Sequence, residues 1–230
     1  MANDFLEWVA GSRKGSGPGG NGSSPGNGYA LSPGIVTNNI DFLGLGRVQV
    51  RIPALPAFEP WCRMSSIGAG SSRGFLWIPE IDDEVLVAFS QNDERDAYIL
   101  GGLWSTQARP PLDLFSDFVI KRVIKTGKTS GLGHEILFDD AQQSITITSS
   151  TDQKITIEPT KIELETTGGT LKITMDLTSQ TISISAPLKV EVKATQLSLE
   201  GTAQVDIKGA IINLQATGPC SIQGLPVKIN

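Results

Sequence analysis

The C-terminal part of this 230-residue chain alternates aliphatic and polar residues, yet it contains no Phe, Tyr or Trp after Phe138. Its apolar pairs recur roughly every eight residues, which is enough for one short strand and one tight turn. Pro159, Pro187 and Gly201 fall between the pairs, where turns are expected. The pattern predicts a β repeat over residues 139–217 whose interior is too thin for an aromatic ring.

A repeat of this kind cannot bury its apolar side as a flat sheet in water, so we expect it to wrap around an axis. Two wrappings fit the spacing. Successive strands of one chain form the coil of a monomeric β-helix, or three chains wind together with one strand each per level. In both, the aliphatic residues of the strands point to the axis. The predicted core residues are Ile145, Ile147, Ile155, Ile157, Ile173, Ile184, Val192, Leu199 and Ile207.

Residues 31–110 have a different composition and predict a compact β domain. Short alternating stretches such as "GRVQVRIP" and "EVLVAFS" indicate about five strands separated by turn-rich connections. No stretch has convincing helical periodicity, so a small barrel of the OB-fold type is favoured. We expect large aromatic side chains to fill its core. These are Trp61, Phe75, Trp77, Phe89, Tyr98 and Trp104.

Three shorter segments complete the predicted organisation. Residues 1–30 form an N-terminal arm with a Gly-rich linker, and residues 111–138 join the barrel to the repeat. Residues 218–230 form the end of the repeat. The arm begins with an apolar cluster that we expect to bind a neighbouring protein: Phe5, Leu6, Trp8 and Val9.

Composition and motifs argue against an enzyme and against a nucleic-acid binder. The net charge of −5 disfavours binding to a phosphate backbone. The single histidine, His134, has no sequence signature of a nucleophile and an orienting group beside it. Cys62 and Cys220 fit neither a disulfide framework nor a zinc site. We therefore predict no catalytic residue, no metal and no cofactor, and the absence of a signal-peptide pattern predicts synthesis in the bacterial cytoplasm.

Several motifs resemble the central spike of contractile injection systems, the family of phage baseplate spikes and VgrG-like proteins. Residues 33–104 carry the resemblance through "PGIVTNN", "GRVQVRIPALP", "GFLWIPEIDDEVLVAF" and "YILGGLW". Residues 121–145 resemble the segment in which the family's barrel passes into its needle. The resemblance implies an all-β homotrimer. In that trimer an N-terminal OB-fold barrel is followed by an intertwined triple-stranded β-helix needle.

The same resemblance implies a function and partners. The chain is expected to be a structural spike that pierces a target membrane from the centre of a contractile tail baseplate and joins a separate hub protein to a PAAR-type tip protein. The apolar cluster of the arm is the expected hub contact. The expected tip contacts are Cys220, Ile222, Leu225, Val227 and Ile229.

Other functions and more than one location stay open on the sequence. The alternative function is a β-helical tail protein that degrades polysaccharide or binds a receptor, although the aromatic-free repeat argues against a sugar groove. The expected location is a virion tail baseplate or an extracellular injection particle, and a type VI system is also compatible. Proteins of the VgrG type usually carry a hub domain ahead of the barrel, whereas this chain has only a short arm there. We therefore expect the hub to be a separate protein, which favours a phage-like baseplate.

Overall fold

The computed structural model describes residues 31–90, 93–127 and 132–228. The chain divides into two compact units between Ser185 and Ala186. The first contains a barrel and a separate seven-stranded sheet. Among the described residues, no helix has both the length and the apolar content that crossing a bilayer would require.

The barrel is closed by five strands in the order β1-β2-β3-β7-β6. They are β1 (Leu31–Asn38), β2 (Val48–Arg51), β3 (Trp61–Met64), β6 (Glu84–Phe89) and β7 (Ala97–Gly102). Four of the five contacts are antiparallel, and β3 pairs with β7 in parallel. Between β3 and β6, the short strands β4 (Ala69–Gly70) and β5 (Arg73–Gly74) form a separate hairpin. The predicted OB-type barrel is confirmed.

The barrel core is aliphatic, and the expectation of an aromatic core is wrong for most of the named residues. Its fully buried side chains are those of Val36, Val48, Val50, Ile52, Cys62, Val85, Val87 and Ile99. Phe89 is buried, but Phe75, Trp77 and Trp104 are exposed. Phe75, Trp77 and Trp104 lie outside the strands of the barrel. Trp61 and Tyr98 lie on strands beside inward-facing residues, and alternation turns them outward. A closed barrel of this size is filled by β-branched side chains.

Close packing between β1 and β2 depends on a glycine. A Cβ atom on Gly34 would overlap Val50 Cγ1 and would lie 3.2 Å from the carbonyl oxygen of Arg51. The fully buried valine occupies the space that any side chain at Gly34 would need. The first strand of the barrel therefore approaches the second more closely than a side chain at this position would allow.

The second sheet is an antiparallel meander of seven strands, arranged in chain order. A short helix, α1 (Asp117–Ile120), leads into it. Its strands are β8 (Lys121–Lys125), β9 (Glu135–Asp139), β10 (Ser144–Thr148), β11 (Lys154–Ile157), β12 (Lys161–Glu165), β13 (Lys172–Asp176) and β14 (Thr181–Ser185). The strands β8 and β9 lie within residues 111–138 or cross its end, so part of the segment expected as a junction belongs to this sheet.

The strands of this sheet do not pair as the predicted intertwined trimer requires, with one strand from each chain at every level. From β8 to β14 each strand pairs with its successor in the same chain, through connections short enough for hairpins. The second unit is different. Over residues 186–228 the structure has no helix or strand, and every residue from 187 to 228 is exposed. Interwinding of three chains over the predicted needle, residues 139–217, therefore stays a prediction, and the strands of the meander pair within one chain.

Candidate functional site

One face of the meander carries two continuous rows of apolar side chains, which we call ladder A and ladder B. In ladder A each residue is the cross-strand partner of the next, from β8 to β14. Its members are Ile124, Ile136, Ile147, Ile155, Leu164, Ile173 and Ile184. All seven positions are aliphatic, so the register aligns one branched side chain from every strand.

Ladder B runs parallel to ladder A, two residues away along each strand. Its members are Arg122, Phe138, Ile145, Ile157, Ile162, Met175 and Ile182. Because side chains two apart on a strand share a face, both ladders lie on the same side of the sheet. Thirteen of their fourteen positions are apolar, and Arg122 is the exception.

This apolar face has no cover within the part of the chain that the structure describes. Ile147, Ile155 and Leu164, in the middle of ladder A, remain 40%, 39% and 42% exposed, and Ile184 at the edge reaches 61%. A groove of about 590 Å³ follows ladder A beside the turns at Ser149–Gln153 and Thr166–Leu171. Contiguous exposed apolar surface on this scale marks an interaction site.

The opposite face of the meander is polar apart from Val123 and Leu137, and ion pairs link its strands. Lys172 lies 3.1 Å from Glu163 and 3.4 Å from Glu165, and Lys161 lies 3.6 Å from Glu163. Burial acts to raise the pKa of Glu163, but the bonds and charges of Lys172 and Lys161 outweigh it, so this pKa lies below its usual range. Because Lys172 on β13 pairs with Glu163 and Glu165 on β12, these two ion pairs favour the register that aligns the ladders.

The structure brings together six of the predicted core residues and separates them from three others. Ile145, Ile147, Ile155, Ile157, Ile173 and Ile184 all lie on the ladder face. Val192, Leu199 and Ile207 lie in the second unit, where they are exposed. Seven further apolar ladder positions were not predicted: Ile124, Ile136, Phe138, Ile162, Leu164, Met175 and Ile182. The signal that could have identified most of them is the same strand alternation that identified the first six.

The predicted partner-binding residues can be placed only in part. Cys220, Ile222, Leu225 and Val227 are exposed in the second unit, while Ile229 lies outside the described residues. Phe5, Leu6, Trp8 and Val9 also lie outside the described residues. Binding of a hub and a tip at these positions stays a prediction.

The loop from β1 to β2 presents exposed apolar side chains on a rigid base. The Asp41 carboxylate accepts hydrogen bonds from the backbone N–H groups of Leu43, Leu45 and Arg47 and from the Arg47 guanidinium, the last at 2.9 and 3.0 Å. The bond from Arg47 is the main reason that the pKa of Asp41 lies well below its usual range. Phe42 is 91% exposed at the tip of this loop.

His134 and Cys62 have structural surroundings rather than the partners of a catalytic or metal site. Nδ1 of His134 accepts a hydrogen bond of 3.3 Å from the backbone N–H of Ser150, which links two neighbouring turns. Burial raises the pKa of the Cys62 thiol to about 12, so this thiol stays protonated in the barrel. Among residues 31–90, 93–127 and 132–228, no three His, Cys, Asp or Glu side chains are grouped as metal ligands would be.

Comparison with known proteins agrees with the barrel topology. Residues 32–104 match the family model described as the type VI secretion system/phage-baseplate injector OB domain. The barrel is therefore similar to an injector OB domain. The resemblance predicted from the sequence is thus confirmed, and the injector OB domain occupies nearly the same residues as the predicted barrel.

One similar curated protein is the actin cross-linking toxin VgrG1 of Vibrio cholerae serotype O1. It is 32% identical over 102 residues, which cover 41% of this chain and 9% of the relative. The chain therefore matches less than a tenth of the length of that protein. The similarity supports the resemblance of this chain to VgrG-like spikes.

Proposed function

We propose that this protein is the homotrimeric central spike of a contractile injection baseplate, a structural component without enzymatic activity. The observation that carries the proposal is the pair of exposed apolar ladders in a chain whose barrel is similar to an injector OB domain. A seven-stranded sheet with one uncovered apolar face is not stable in water. Identical chains that pack these faces against one another remove the apolar side chains from water.

Three copies of the meander cover each other when they form the walls of a triangular prism. Each strand contributes two ladder side chains, so three walls place six side chains around the axis at each level. Full burial of an aliphatic side chain contributes about 1.5–3 kcal/mol. For side chains about 40% exposed, the remaining gain is roughly 0.6–1.2 kcal/mol each. The prism also explains the scarcity of aromatic residues, because six rings per level would not fit.

The second unit supports a different mode of contact between the chains. Its residues alternate in pairs such as Val190–Val192 and Leu197–Leu199, yet the chain forms no strand with itself over residues 186–228. Backbone N–H and C=O groups of extended segments need partners when they are buried. We propose that they pair with the equivalent segments of the other two chains and form the intertwined β-helix.

A spike built in this way suits mechanical work on a membrane. Seven strands at a spacing of about 4.8 Å give each wall a length of roughly 30 Å. In the proposed prism the polar, ion-paired face of each wall is the outer surface. The protein needs stiffness rather than turnover, since contraction of the sheath supplies the force. We place it in a virion tail baseplate or an extracellular injection particle, with a type VI system as a third location.

The spike is proposed to join two partners. The arm residues Phe5, Leu6, Trp8 and Val9 contact a separate hub protein, and the exposed loop tip at Phe42 gives the barrel a second apolar surface toward the baseplate. A PAAR-type tip protein sits on residues 218–230. Exposed apolar side chains at that end, including Leu225 and Val227, support a cap.

The proposal is tested by counting copies in purified injection particles. Quantitative mass spectrometry should find three spike chains per baseplate, and immunolabelling should place them on the tail axis. Particles assembled with the Ile184→Asp variant should lack the spike, whereas Ser183→Asp, on the polar face, should be incorporated normally. A copy number other than three, or a position on the tail fibres or sheath, would contradict the proposed function.

A further inference from the structure

Arg122 is the one charged residue of the two ladders, and it occupies the first position of ladder B. Its register with Phe138 puts it on the apolar face, while its neighbours Lys121 and Val123 project to the other side. Strand β8 is the edge strand of the sheet. A guanidinium therefore stands at one end of a row that is otherwise apolar.

Two carboxylates beside the start of β8 are engaged by Lys121, the residue before Arg122. Asp117 and Asp139 lie 3.0 and 3.8 Å from the Lys121 ammonium, on the polar face. Within the described residues, Nη1 of the Arg122 guanidinium donates a hydrogen bond of 2.8 Å to the carbonyl oxygen of Lys121. A guanidinium has five N–H donors, so most of its hydrogen-bonding capacity is left over.

Three copies of Arg122 converge in the proposed trimer. A threefold axis repeats each ladder position on a ring, so three guanidinium groups face one another at the β8 end of the prism. Like charges that are close together and partly removed from water are costly unless a negative charge accompanies them. Phe138, on the next strand, is the one aromatic ladder residue, and three larger side chains there require a wider interior than the isoleucine levels do.

We propose that the three Arg122 side chains bind one tetrahedral oxyanion of the sulfate or phosphate class on the threefold axis. The planar guanidinium fork matches such oxyanions and donates two hydrogen bonds to each of them. One doubly charged anion neutralises most of the charge of the ring and satisfies donors from all three chains. This inference rests on the proposed trimer.

Thermal unfolding of the full-length protein in sulfate tests the site. Sulfate stabilises proteins in general, so the comparison is between the wild type and Arg122→Met, with Arg51→Met on the barrel as a control for loss of charge. At sulfate about 100-fold above Kd, the wild-type trimer should gain about 2 °C in Tm beyond the gain of Arg122→Met. Arg51→Met should respond like the wild type, and calorimetric titration should give one sulfate per three chains.

The outcomes separate this site from the trimer on which it rests. Equal responses of the wild type and Arg122→Met, or one anion per chain, would overturn the oxyanion site while sedimentation still showed a trimer. An Arg122→Met trimer that is less stable than the wild type without any oxyanion would also overturn it, since Arg122 would then pair with a carboxylate of a neighbouring chain. A monomeric wild-type protein would overturn both proposals.

Discussion

Replacing Ile184 by Asp introduces a carboxyl group into ladder A without touching the polar face. Ile184 lies on β14 opposite Ile173 and is 61% exposed in the single chain. Its neighbour Ser183 points to the other side of the sheet, opposite Thr174. Ser183→Asp therefore adds the same charge one residue away and is the matched control.

The cost of the change follows from burial in the trimer. Each copy loses the remaining gain from the isoleucine, about 1–2 kcal/mol for 61% of a full side chain. Each carboxyl must also stay charged in an apolar interior or take up a proton. Protonation at pH 7 costs about 4 kcal/mol, three pH units at 1.36 kcal/mol each. Three copies together lose more than about 10 kcal/mol, at least seven powers of ten in the assembly constant.

The assay is sedimentation equilibrium of the full-length variants, with circular dichroism to show that the barrel is folded. Ile184→Asp should be mainly monomeric at micromolar protein, and Ser183→Asp should keep the wild-type mass. Because burial raises the pKa of the introduced carboxyl, assembly of Ile184→Asp should recover in part as the pH falls toward 4. Equal masses for the two variants would refute the assignment of faces and with it the shared apolar interior.

Four further predictions concern the barrel and the two ends of the chain. The pKa of Asp41 is lowered in the folded protein, so its bond with Arg47 stabilises the fold fully at pH values above the ordinary carboxyl pKa near 4. This stabilisation is lost as the pH falls through the lowered pKa of the folded protein. Urea unfolding should show Asp41→Asn less stable than the wild type at pH 7, by a margin that narrows below pH 4; a constant margin would contradict this. Gly34→Ala should destabilise the barrel through overlap with Val50, and adding Val50→Ala should restore part of the loss in the same measurement; no recovery would place the strain elsewhere. Deleting residues 218–230 should leave the oligomer intact and abolish pull-down of a co-expressed tip protein, whereas retained binding would put the tip site elsewhere. Deleting residues 1–28 should likewise preserve the oligomer but reduce incorporation into particles, and normal incorporation would exclude the arm as the hub contact.

Strand alternation was enough to predict the barrel and the faces of the later strands. Ile145, Ile155 and Ile173 stand in clear alternation with polar residues, so their common face could be read from the sequence. The strands β8 and β9 were harder to predict, because Val123 and Leu137 place apolar residues on both faces. This breaks the period of two that marks a half-buried strand.

Features that depend on distant contacts were not predictable from local pattern. The alignment of Ile124 with Ile184 across seven strands is the sum of six hairpin registers, each set by the length of its turn. The five bonds to the Asp41 carboxylate required the loop geometry. The outward placement of Trp77 and Trp104 ran against the general tendency of large apolar side chains to be buried.

The mass of the full-length protein in solution tests the central claim most directly, since the proposed prism covers the ladders with three chains. Sedimentation equilibrium of the wild type at micromolar concentration should give about 73 kDa, three times the 24.5 kDa of one chain, without dissociation on dilution through the nanomolar range. A mass of 24.5 kDa would contradict the claim, and so would about 49 kDa, the mass of a dimer in which two meanders pack face to face.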